Sequence, residues 1–203
     1  MGRITDAVKH LLIINVIFYA VTFLIPNMED KMFEWFALFY PTSPFFKPWQ
    51  FVTHMFMHGG LMHIIFNMYA LWAFGSPLEQ LWGRNKFFFF YFSAGLGAAL
   101  VYTLSNYFLL DYNAVAVGAS GAVYGVLVAF AMNFPNSKLA LIFFPVPIAA
   151  KYFIPIILFG DLFFGFTNYS VGNIAHFAHI GGALFGFLIA FYWKNNQFKR
   201  WDK

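Results

Sequence analysis

GASGAVYGVLVAFAMNF, from Gly118 to Phe134, decides how the rest of the chain is read. It opens with a serine among small residues, runs apolar without a charge, and stops at Pro135-Asn136. A helix needs about 20 mostly apolar residues to cross the hydrocarbon of a bilayer, so this segment, near 119–134, makes a short span. Gly121 and Gly125 lie four apart on it, and Gly182 and Gly186 repeat that spacing within AHIGGALFG, 178–186. Small residues so spaced let two helix backbones approach closely. The two segments are therefore expected to pack face to face inside a membrane.

The surrounding composition agrees. Of 203 residues, 61% are hydrophobic and 10% charged, and 31 are Phe, against roughly 45–50% and roughly 25% in soluble domains. So few charges do not cover a water-soluble globule, and disorder requires low hydrophobicity. Five further segments qualify as spans, near 9–26, 58–78, 86–107, 151–168 and 174–193. The expected fold is an all-α polytopic membrane protein, a six-transmembrane-helix bundle forming one domain over 1–203. Lys9–Ile25 starts like a secretory signal, but no small-x-small cleavage site follows, so it reads as the first span.

With six spans, Arg3, Lys9, Arg84, Lys86, Lys138, Lys151, Lys194, Lys199, Arg200 and Lys203 collect on one side, and only Lys31 and Lys47 on the other. That asymmetry places both termini in the cytoplasm. Pro26–Trp49, rich in aromatics and prolines, reads as a loop lying in the non-cytoplasmic interface. Leu139–Ala150, with Pro145 and Pro147, reads as a cytoplasmic interfacial loop. The net charge of +4 is scattered, which argues against a nucleic-acid partner. The absence of cysteine removes disulfides, thiolate nucleophiles and Cys-ligated metal.

Polar groups at membrane depth are costly and each needs a reason. His63 and Asn67 are four apart and converge on one helix face. Their N–H groups suit an oxyanion, but for the pair alone the gluing of two helices is the simpler reading. Ser120 at a helix start is either an N-cap or a nucleophile beside unpaired N–H groups. The glycine pattern weighs on that choice. Ser120 directly precedes Gly121, and His179 lies one turn before Gly182, so packed glycine faces bring the two side chains to one depth. That is the geometry of a nucleophile and its base. Tyr124, one turn below Ser120, either stacks on the His179 ring or is an ordinary core aromatic. His176 is taken as structural. A metal site is the rival chemistry, with His54, His58, His63, His176 and His179 available, but no His-Glu-x-x-His run exists. Asp161 has no ligand partner in evident spacing, and His58 and His63, five apart, diverge on a helix. The expectation is no metal.

Three motifs in order carry a resemblance. WQFVTHMFMHGGLMHIIFN at 49–67, GASG at 118–121 with Tyr124, and AHIGGALFG at 178–186 resemble the rhomboid intramembrane serine proteases, over most of the chain from Trp49 to about Trp193. The resemblance implies a rhomboid-like bundle with a Ser–His dyad and no carboxylate, in which Ser120 is the nucleophile and His179 the base. It implies an oxyanion hole from His63, Asn67 and the Ser120 N–H, with Tyr124 packed on the imidazole. His54 and His58 match supporting histidines, Gly118, Gly121 and Gly182 the motif glycines, and Glu79 and Gly83 a structural Glu-x-x-x-Gly. No cofactor is implied. The partners are the lipid bilayer and the transmembrane segments of other proteins, cut near the non-cytoplasmic face of a bacterial inner membrane. Span five and the loop near Asn168–Asn173 would form the substrate gate. One departure is Trp49-Gln50 where the family often has Trp-Arg, which loses a charge and a forked donor set. A catalytically silent protein that binds transmembrane clients is the alternative.

Overall fold

The computed structural model describes residues 3–109, 111, 113, 115–141, 144–166 and 176–197. Among the described residues, four helices are long and apolar enough to cross a membrane: α1 (Asp6–Leu24), the continuous helix Leu61–Trp82, α6 (Arg84–Leu109) and α9 (His176–Gln197). The second of these is α4 (Leu61–Ala70) joined to α5 (Ser76–Trp82) by a π turn at Leu71–Gly75. Two shorter apolar helices stand at the remaining expected spans, α7 (Ser120–Asn133) and α8 (Ala150–Phe166), the latter with Pro155 inside it. The expected gate loop near Asn168–Asn173 lies outside the described residues, as does the expected start of the last span at 174. Large apolar side chains such as Ile13, Ile17, Phe66, Leu100, Phe159 and Leu188 face outward, as an integral membrane protein requires.

The short helix α7 is the centre of the bundle. It carries no charge, and nine of its 14 residues, Gly121 to Val123 and Gly125 to Phe130, are buried. A helix that is apolar all round needs neighbours on every side, and α6, α8 and α9 all pack against this one.

The two glycine faces meet. A methyl added at Gly182 runs into the Gly121 backbone, and one added at Gly125 comes within 2.9 Å of the Gly182 carbonyl oxygen and 2.7 Å of the Ala94 Cβ on α6. Glycine is required here because the helix backbones themselves are in contact. The same closeness joins α6 to α9, where a methyl at Gly181 comes within 3.0 Å of the Gly97 carbonyl oxygen.

The helix α1 is tied to the far end of the second span. The buried Glu79 carboxylate accepts the N–H groups of Ala7 at 2.7 Å and Val8 at 2.9 Å, and the Thr5 hydroxyl. The two N–H groups are first-turn donors that have no partner within their own helix, and the carboxylate also suits the positive end of the helix dipole.

Two stretches expected to be loops carry regular structure. Within 26–49 lie α2 (Glu29–Phe36) and β1 (Leu38–Phe39), and β1 pairs antiparallel with β2 (Val115–Ala116). Within 138–149 the chain forms an antiparallel ribbon of β3 (Lys138–Leu141) and β4 (Phe144–Ala149). Pro145 and Pro147 disfavour a helix, but residues two apart point their backbone nitrogens to the same edge of a strand, so both prolines fit one edge. The chain is mostly helical, as expected, and the described residues add two small two-stranded sheets to the helices.

Gln50, at the start of α3 (Gln50–Thr53), is fully buried and holds the loop ahead of the second span together. Its Nε2 donates to the carbonyls of Glu34 and Phe45, both at 3.0 Å, and its Oε1 accepts from the N–H of Lys47 at 3.1 Å. An uncharged amide that both donates and accepts does here what a guanidinium, which only donates, does not.

Candidate active site

Ser120 is the first residue of α7, and Ala119 occupies the N-cap position. The serine hydroxyl is thus not used as a cap. It lies 2.8 Å from the His179 Nε2 across the glycine contact. The Tyr124 ring is stacked on the His179 imidazole, with centroids 4.2 Å apart and planes at 11°.

Gly118 shapes the turn into α7. Its φ of +128° is strained for a residue with a side chain, and a methyl there would lie 2.8 Å from the His63 Nε2 and 3.4 Å from the Ser120 Oγ. The His63 ring therefore borders the space over the serine. The Gly118 N–H donates to the His54 carbonyl at 2.9 Å, and the His54 Nδ1 lies 2.8 Å from the Gln50 carbonyl. Gln50, His54 and Gly118 form one chain of support reaching the serine turn.

The remaining expected site residues are placed less directly. Asn67 is buried on α4, and its amide donates to the His63 carbonyl of its own helix at 3.0 Å. His58 precedes α4, so the helical divergence expected of His58 and His63 does not apply: their rings meet edge to face with centroids 5.0 Å apart. Both histidines ahead of α4 are buried, and burial holds the imidazole of His54 down at about 4 and, with His63 beside it, that of His58 at about 3.

Asp161, on α8, corrects the sequence reading, which gave it no partner. Its Oδ2 lies 2.6 Å from the His179 Nδ1, and its Oδ1 is hydrogen-bonded to the His176 Nδ1. His176, expected to be structural, holds the carboxylate that meets His179. An acid inside an apolar segment is itself a signal, but its partners come from another helix, where spacing along the chain says nothing.

Asp161, His176 and His179 each offer one ligand atom within 4.8 Å of the others. An ion between an imidazole nitrogen and a carboxylate oxygen needs bonds of about 2.0–2.2 Å to each. At 2.6 Å, the His179 Nδ1 and the Asp161 Oδ2 stand at the separation of a shared proton.

A model of the Rhomboid domain matches residues 46–196. The chain is 30% identical over 182 residues to the presenilin-associated rhomboid-like protein, mitochondrial, of Homo sapiens, covering 85% of this chain and 46% of that protein. It is 33% identical over 144 residues to the rhomboid protease GluP of Bacillus subtilis (strain 168), covering 70% of this chain and 25% of that protein. To the rhomboid protein 1, mitochondrial, of Saccharomyces cerevisiae it is 31% identical over 147 residues, covering 68% and 39%. The chain spans less than half the length of these relatives.

Proposed function

Since the chain belongs to the rhomboid family, we propose that it is an intramembrane serine endopeptidase that cuts the transmembrane segments of other membrane proteins. The observation that carries this reading is the 2.8 Å contact between the Ser120 Oγ and the His179 Nε2 at the half-buried start of α7. The His179 Nε2 takes the Ser120 proton as the oxygen attacks the scissile carbonyl. Negative charge then develops on the carbonyl oxygen, next to the N–H groups of the first turn of α7 and the His63 ring. The Asn67 amide reaches the same space by turning away from the His63 carbonyl. His179 returns its proton to the leaving amine, and water hydrolyses the acyl-enzyme.

The bundle is proposed to have six spans, with α7 and α8 as the short ones and α7 shielded from lipid by its neighbours. The cation-rich side is assigned to the cytoplasm of a bacterial inner membrane. A substrate helix is proposed to approach by the face of α8 that carries the exposed Phe159 and Phe163.

The test is labelling of the purified protein in detergent with a fluorophosphonate probe, comparing wild type with Ser120→Ala and His179→Ala. Labelling lost in both variants and indifferent to chelator supports the reading. A folded wild type that does not label supports the catalytically silent client-binding protein instead.

A further inference from the structure

We propose that Asp161 is a positioning residue that turns the Ser120–His179 pair into a triad, with His176 holding the carboxylate in place. This rests on the proposed protease reading and departs from the dyad without a carboxylate that the resemblance implies.

The ring of His179 lies between two oxygen atoms, with Nδ1 at 2.6 Å from the Asp161 Oδ2 and Nε2 at 2.8 Å from the Ser120 Oγ. A neutral imidazole carries one N–H, and an ionised carboxylate only accepts. The proton therefore sits on Nδ1, and Nε2 presents a lone pair to the serine hydroxyl. That is the tautomer a general base needs. With the proton on Nε2 instead, the ring would donate to Ser120 and could take nothing from it.

Asp161 is itself fixed. Its second oxygen is held by the His176 Nδ1, and the two imidazole rings stand at 86° to each other, so the carboxylate is gripped from two directions. The Tyr124 ring packs flat on His179, which prevents the imidazole from tilting off the line between the two oxygens. Among the described residues, the groups that face His179 are Asp161 on α8, His176 on its own helix, Ser120 and Tyr124 on α7, and His63 on α4. Of these, Asp161 alone carries a negative charge. When His179 takes the serine proton, the carboxylate stabilises the imidazolium across 2.6 Å in a buried site, without becoming protonated.

The experiment compares fluorophosphonate labelling rates across pH for wild type, Asp161→Asn and Asp161→Glu, with thermal unfolding in the same detergent. Asp161→Asn is expected to label about 10²–10⁴-fold more slowly, to shift the acid limb of the rate profile to lower pH, and to unfold near the wild-type temperature. Asp161→Glu restores part of the rate. A folded Asp161→Asn that labels within about threefold of wild type, with an unmoved acid limb, overturns the proposal. Should Asp161→Asn not fold, ¹⁵N-histidine spectra of the wild type decide, with the His179 signals assigned by their loss in His179→Ala. The Nδ1–H tautomer is expected, and the Nε2–H tautomer overturns the proposal. Failure of the protease reading looks different, because the wild type then fails to label at any pH.

Discussion

Gly182→Ala separates the geometry of the site from the stability of the bundle. The added methyl meets the Gly121 backbone, which cannot rotate aside as a side chain does. A carbon in contact with a carbonyl oxygen sits at roughly 3.3–3.6 Å, so α7 and α9 must part by on the order of 1 Å at this point. Ser120 precedes Gly121 and His179 lies one turn before Gly182, so the displacement falls on the 2.8 Å Ser120–His179 contact and takes it beyond hydrogen-bond range. A misplacement of about 1 Å costs on the order of 10² in rate. Overpacking costs about 1–3 kcal/mol, equivalent to a Tm lower by roughly 2–12 °C at this chain length. The assay is the fluorophosphonate labelling rate beside thermal unfolding, with Gly160→Ala on α8 as control, since a methyl there meets nothing within 4 Å. A Gly182→Ala protein that stays folded and labels at the wild-type rate refutes the claim that the glycine contact sets the Ser–His distance.

Three further outcomes are expected. Glu79→Gln leaves one acceptor oxygen for three donors and removes the charge at the start of α1, so stability should fall by about 2–4 kcal/mol, read as a lower Tm; an unchanged Tm counts against the cap. Gln50→Leu strands the carbonyls of Glu34 and Phe45 and the N–H of Lys47, at a similar cost of about 2–4 kcal/mol, and should speed proteolysis within 26–60. His54 and His58 are held down at about 4 and about 3, so above the ordinary histidine value of about 6.5 neither the folded nor the unfolded chain takes up a proton at them. As pH falls below that value the unfolded chain binds protons that the folded one refuses, and stability drops by up to about 1.4 kcal/mol per pH unit for each histidine. Melting curves between pH 7 and pH 5 test this, and a Tm independent of pH over that range contradicts it.

Much of this is legible in the chain because the decisive spacings are local. Gly121 and Gly125, and Gly182 and Gly186, each share a helix face by periodicity alone, and the two faces meet. Ser120 and His179 follow from those glycines by adjacency. Asp161 is not legible in the same way, because its partners His176 and His179 belong to another helix and only the packing of α8 on α9 brings them within reach. Gln50 is a departure from the resembling family's pattern, and its burial depends on α2 and on the turn at 43–47, which hydropathy alone reads as an irregular interface. The β3–β4 ribbon is hidden by its prolines, which argue against a helix without arguing for a strand.

The cap on α1 has a consequence for the order of assembly. Glu79 comes 72 residues after Ala7, whose N–H it accepts. At about 5–20 residues per second, the first helix emerges roughly 4–14 seconds before its capping carboxylate is made. During that interval the first-turn donors rely on water or lipid headgroups at the membrane surface. The contact closes only when the start of α1 and the end of α5 stand on the same side of the bilayer, so it requires the first two long helices to run in opposite directions across it.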